Sequence, residues 1–141
     1  MQQSAKDVKV IQPTKGLYGD KKLRVAAYCR VSTDSDNQED SFIAQVKYYN
    51  DFLRLSDNME LVDIYADEGI TGTSINKRDD FNRMLRDSSL GKIDRIFVKS
   101  VSRFARNSLE CIKSIRLLKS YGTTVLFEND AIDTNTMNSE M

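Results

Sequence analysis

Three arginines and one serine carry the residue types and spacings in this chain that suit phosphoryl chemistry. Arg30 and Ser32 lie two apart at the end of an apolar run, Leu23 to Val31. Side chains alternate along a strand, so Arg30 and Ser32 share a side with Tyr28, while Cys29 and Val31 face the other way. An unpaired arginine inside a core is costly, which places Arg30 at the carboxyl end of the strand, where open α/β sheets bind ligands. Arg103 and Arg106 follow a second apolar run, Arg95 to Lys99, and stand three apart at the entrance to a predicted helix, whose exposed N–H groups also favour an anion. A guanidinium fork can hold two oxygens of a tetrahedral phosphate and keeps its charge, so three of them could converge on one phosphate beside a hydroxyl. Each residue also has a plainer reading. A serine after a strand commonly makes a turn or a cap, and Arg106 can form a surface ion pair with Glu110 one turn on. Neither explains two strand ends armed alike.

The chain has no histidine. That excludes a Ser-His-Asp triad, a Cys-His pair and any histidine-ligated metal, so a hydroxyl nucleophile must be activated in another way, and no general base is evident. Acids and bases balance at 21 each, which argues against a molecule that binds nucleic acid as a uniform polycation. The distribution is uneven. From Arg95 to Tyr121 seven bases face one acid, Glu110, whereas Val25 to Asp94 carries eight bases and fourteen acids. This pattern fits either a solvated basic helix or an anion-holding region. The run Asp34-x-Asp36-x-Gln38 lacks the glycine and the bidentate glutamate of a calcium loop, and Gly69 and Gly72 are not followed by Gly-Lys-Ser/Thr, so neither a calcium site nor a P-loop is expected. No metal and no cofactor is implied. Cys29 and Cys111 sit within apolar segments, as buried free thiols of a reducing compartment do. The apolar runs are too short to span a bilayer and no secretory signal is evident, so a cytoplasmic protein without a membrane segment is expected.

These residues need an α/β scaffold to position them. Residues 1–21 are polar and aperiodic and read as a flexible arm. Leu23 to Val31 is apolar almost throughout, as in a central parallel strand. Asp40 or Ser41 can cap a helix through Leu55, with Phe42, Val46, Tyr49 and Leu53 on one apolar face. Met59 to Tyr65 alternates like a strand near a sheet edge, and a loop from Asp67 to Lys77 follows. Asp79 or Asp80 can cap a helix to Ser88, with Phe81 and Leu85 inward and Gly91 as its stop. Arg95 to Lys99 is a third strand. Asn107 or Ser108 caps a helix to Tyr121, with Ile112, Ile115 and Leu118 inward, and Thr123 to Phe127 is a fourth strand. Strand-helix alternation of this kind builds a mainly parallel sheet of at least four strands with helices on both faces. The tail from Glu128 is polar, with at most a short hairpin arm.

The ordered set Tyr28-Cys29-Arg30-Val31-Ser32-Thr33, then Gln45, then Gly72-Thr73-Ser74 through Arg78, then Ser102-Arg103-Phe104-Ala105-Arg106-Asn107 resembles the signature of the serine site-specific recombinases, the resolvase/invertase family. The loop from Glu68 to Ser74 is similar to that of the large serine recombinases of mobile elements. The resemblance implies a resolvase-like three-layer fold over residues 22–134 and, at 135–141, the start of a linker helix. It implies Ser32 as the nucleophile that becomes a 5′-phosphoserine, Arg30, Arg103 and Arg106 as the grip on the scissile phosphate, and Gln45 and Arg78 as support, with Tyr28 a structural neighbour. It further implies DNA as substrate and self-association to a dimer and tetramer in the complete protein. Many members have aspartate where this chain has Ser102, and a serine hydroxyl there can orient Arg103 in part. Two other readings compete. A flavodoxin-like or receiver-like binding module shares the strand alternation, and a structural domain that has lost activity would keep the same fold.

Overall fold

The computed structural model describes residues 22–31, 41–68 and 78–136. The arm at 1–21, Ser32 and the acidic run after it, the glycines at 69 and 72, and the end of the chain lie outside the described residues. Among those described, the strands are β1 (Leu23–Val31), β2 (Met59–Glu68), β3 (Arg95–Val98), β4 (Thr124–Phe127) and β5 (Ile132–Asp133). The helices are α1 (Phe42–Arg54), α2 (Asp79–Ser89), α3 (Val101–Phe104) and α4 (Ser108–Ser120). The sheet runs β2-β1-β3-β4-β5, with the first four strands parallel and β5 antiparallel to β4. The α/β architecture is thus the expected one, with β2 at an edge and β1 central.

β1 is buried from Val25 to Arg30. Its alternation divides the interior into two layers. Ala26 and Tyr28 join Phe81, Met84, Phe104, Ile115 and Leu118 on one face. Val25, Ala27 and Cys29 meet Tyr49, Leu53 and Phe97 under α1 on the other. An edge-to-face chain of rings, Tyr28–Phe81–Phe104–Phe127, crosses the first layer with centroids 5.2 Å apart at each step. Each such pair adds about 0.5–1.5 kcal/mol beyond its area burial. Both cysteines are free and buried, and burial pushes the Cys29 thiol up to about 12.

Several elements depart from expectation, each for a local reason. α1 buries Gln45, Tyr49 and Leu53, an i, i+4, i+8 row, and leaves Phe42 48% exposed in its first turn. The amide of Gln45 takes the inward place because it donates to a backbone carbonyl at the end of β1. β2 runs on to Glu68, so Asp67 belongs to the strand rather than to a loop. α2 begins without a side-chain cap of its own: Arg78 is its N-cap residue. The cap comes from Asp67, whose carboxylate accepts from Asp80 N at 2.9 Å and Phe81 N at 3.0 Å, while Asp80 returns the contact by accepting from Ala66 N at 2.9 Å. α3, four residues long, is too short to show periodicity. The tail after β4 does form a hairpin, fastened by Arg95 to Asp133 through a bidentate pair of 3.0 and 2.6 Å. Gly91, at φ 77°, ends α2 as expected, and Gly122, at φ 87°, ends α4 in the same way.

Candidate phosphate-binding site

The strand order reverses between β1 and β3, and the crevice outside the carboxyl ends of strands at such a point is where open α/β sheets bind ligands. β1 delivers Arg30 there and β3 leads through Lys99 and Ser100 into α3, which carries Ser102 and Arg103. Phe104 fixes α3 by its fully buried ring, and Ala105 is buried beside it, so the motif Arg-Phe-Ala-Arg carries two buried apolar residues between its cations. The sequence signal for this was their apolar character between two cations.

Gln45 and Arg103 meet on one acceptor. Gln45 Nε2 donates to the Arg30 carbonyl at 3.4 Å and Arg103 Nη1 donates to the same oxygen at 3.2 Å. That carbonyl is two residues before Ser32. Arg30 itself is 8% exposed, deeper than its predicted emergence at the strand end.

Arg78 is a second centre. Its side chain is 11% exposed, stacks over the Phe81 ring at 3.7 Å, donates from Nη2 to the Phe104 carbonyl and reaches Tyr28 Oη at 3.4 Å. Tyr28 Oη in turn donates to Asp67 Oδ2 at 2.7 Å, and burial, more than that bond, raises the Tyr28 hydroxyl well above its ordinary value. Asp67 therefore joins Tyr28 to the start of α2 and was missed in the sequence because both partners are distant along the chain.

Arg106 stands on Glu110. The carboxylate accepts from Arg106 N at 2.6 Å and from Nη2 at 3.5 Å, as the plainer reading of that pair anticipated. It also faces Arg78 Nη1 at 3.6 Å. Its pKa is held below the usual carboxylate range by the Arg106 N–H and then by the two guanidiniums. Glu110 thus ties Arg106 to Arg78. The Arg106 side chain is 60% exposed. The α4 amino end is already capped, since Asn107 Oδ1 accepts from Glu110 N at 2.8 Å. Ser102 is exposed and its hydroxyl lies 3.1 Å from that of Ser100. Among the described residues no three of His, Cys, Asp and Glu come together as a metal cage, and no helix is long and apolar enough to cross a membrane.

Residues 25–141 match the family model described as the resolvase N-terminal domain. A resolvase family site-specific recombinase from Streptococcus pneumoniae is similar in structure at 33% identity, with a TM-score of 0.68, covering 85% of this chain and 80% of that one. A serine recombinase from Sulfolobus solfataricus is similar at 28% identity and a TM-score of 0.55, over 77% and 69% of the two chains. The N-terminal catalytic domain of TP901-1 integrase shares the fold at 21% identity and a TM-score of 0.67, over 81% and 84%. No match is found among curated protein sequences. The extent of the family match and the identity to the pneumococcal recombinase make this chain a member of the resolvase family.

Proposed function

We propose that the chain is the catalytic domain of a site-specific serine recombinase and that Ser32 is its nucleophile. The observation that carries this reading is the meeting of Gln45 and Arg103 on the Arg30 carbonyl, at the strand-order reversal and two residues before Ser32. In the proposed reaction the Ser32 hydroxyl attacks a DNA phosphorus, the bond to the 3′-oxygen breaks, and a 5′-phosphoserine and a free 3′-hydroxyl result. After strand exchange a 3′-hydroxyl attacks the phosphoserine, which restores a phosphodiester and frees Ser32. The number of phosphoester bonds is conserved, so neither ATP nor ligase is required. Arg30, Arg103 and Arg106 stabilise charge on the non-bridging oxygens, an effect worth a few kcal/mol per well-placed donor. Arg78 and Gln45 hold the frame. DNA is the partner, and the complete protein works as a dimer and tetramer.

A binding module of similar strand order would need a cofactor loop or an acidic Mg²⁺ cluster at the same crevice; the contact of Arg103 with the Arg30 carbonyl supports the phosphate reading instead. The test is covalent adduct formation by the full-length recombinase on a nicked recombination site, with the attached residue found by peptide mapping. Ser32→Ala should abolish the adduct and leave DNA binding nearly unchanged, and EDTA should not prevent it. Phosphate on any other residue, or cleavage that returns only with Mg²⁺, would overturn this mechanism.

A further inference from the structure

The turn between β4 and β5 reaches both elements that converge on the Arg30 carbonyl. Glu128 lies directly after β4, and its two oxygens accept from neighbouring tyrosines of α1: Tyr48 Oη at 2.7 Å and Tyr49 Oη at 2.8 Å. Tyr49 is fully buried against the sheet, and Lys99 Nζ lies 3.8 Å from the Tyr48 ring centroid. The middle of α1 is thereby fastened to the carboxyl end of β4. Two residues on, Asp130 Oδ2 accepts from Val101 N at 2.7 Å, the first N–H of α3, which the Ser100 side chain does not cap. Backbone bonds from Glu128 N to Val98 O at 2.9 Å and from Asn129 N to Lys99 O at 2.7 Å align the turn with the end of β3. Ala131, at φ 54°, turns the chain back toward β5 in the left-handed region that a residue with a side chain rarely adopts.

A helix of four residues gains little from its own hydrogen bonds, so the orientation of α3 depends on what holds its ends. At the carboxyl end that is the buried Phe104, and at the amino end it is Asp130. α1 has a longer interface, yet its first turn is loosely seated: Phe42 and Ile43 are 48% and 78% exposed. Gln45 lies two residues beyond Ile43.

We propose that Glu128 and Asp130 are positioning residues: the β4–β5 turn clamps α1 and α3 so that Gln45 and Arg103 meet on the Arg30 carbonyl. The consequence for catalysis rests on the recombinase reading above, whereas the clamp itself does not. Both act through the helices they hold, α1 carrying Gln45 and α3 carrying Arg103.

The test uses the full-length protein with Glu128→Ala, Glu128→Gln, Asp130→Ala, Asp130→Asn and the double alanine variant. Amide hydrogen exchange followed by mass spectrometry reports the clamp directly. Asp130→Ala should speed exchange in the peptide covering α3, and Glu128→Ala in the peptide covering the first half of α1. The rate of adduct formation at saturating nicked DNA should fall about tenfold in each alanine variant, because small misplacements of a reacting group cost one to two orders of magnitude. Apparent DNA affinity should stay within about twofold, since no phosphate contact is removed. Asp130→Asn keeps an oxygen acceptor and should recover most of the rate, and Glu128→Gln should recover part of it. The double variant should lose less than the product of the two single losses, as both residues sit in one turn and act on one shared acceptor, and coupled sites are not additive. Unchanged exchange in both peptides would overturn the clamp, as would a rate loss that follows the fraction unfolded or appears only in affinity. If the unmodified protein gives no Ser32 adduct, the recombinase reading fails, and the exchange comparison still decides whether the turn clamps the two helices.

Discussion

Arg103 donates from Nη1 to the Arg30 carbonyl at 3.2 Å, so a residue proposed to hold phosphate is also a tie between two strand ends. A lysine would keep the charge but has a single nitrogen on a flexible stem, and could not fill both roles in one fixed geometry. Arg103→Lys should therefore slow adduct formation by roughly 10², comparable to loss of one preorganised oxyanion donor. DNA affinity should change little. The measurement is single-turnover cleavage at saturating DNA, and a rate within about threefold of the unmodified protein would show that charge without the fork suffices. Arg30 and Arg103 could be singled out in the sequence because each follows a strand end, and Gln45 and Arg78 because the ordered set that contains them resembles the recombinase signature. Asp67, Glu128 and Asp130 could not. Their partners lie on other elements, Asp67 on Tyr28 and the start of α2, Glu128 on α1 and Asp130 on α3, and spacing along one chain carries no signal for such contacts. Glu110 was visible as the neighbour of Arg106 but not as that of Arg78, which is far along the chain.

At the scale of elements, the junction between β2 and α2 shows how the scaffold supports the site. Asp67 satisfies two of the orphan N–H groups at the start of α2 and also accepts from Tyr28, so one buried carboxylate joins the central strand to the helix. Asp67→Ala should cost about 2 kcal/mol or more, the sum of a lost helix cap and a lost hydrogen bond to a charged group. Tyr28→Phe should cost less, because it leaves the cap in place. Urea unfolding of the two variants measures the order, and a Tyr28→Phe loss equal to that of Asp67→Ala would mean that the cap contributes nothing. The order of β1 to β4 with α1, α2 and α4 was legible, since those strands are apolar or alternating runs and α2 and α4 end on glycines at positive φ. What was not legible is where burial falls within a helix. In α1 it falls on Gln45 rather than Phe42, because a hydrogen bond to the end of β1 sets the inward row. α3 escaped because four residues hold barely one helical turn.

For the whole molecule, the fold redistributes the charge that the sequence concentrates between Arg95 and Tyr121. Arg95 stands at the amino end of β3 and is paired with Asp133, away from the crevice. Lys99, Arg103 and Arg106 gather at the carboxyl edge. Lys113 and Arg116 are exposed on α4, which runs away from that edge. Arg116 lies eight residues beyond Ser108, about 12 Å along the axis at 1.5 Å per residue. If DNA lies against the crevice, only the second group neutralises phosphates, and each contact contributes about 0.9 to the slope of log affinity against log salt. Lys99→Gln should then lower that slope by about 1 and weaken binding to all sequences alike. Arg116→Gln should leave both slope and cleavage unchanged. The check is titration of a labelled recombination site with the full-length protein at several salt concentrations, comparing slopes rather than single affinities. A slope that falls with Arg116→Gln and holds with Lys99→Gln would move the DNA face from the strand ends to the outer surface of α4, and the crevice would then need another ligand.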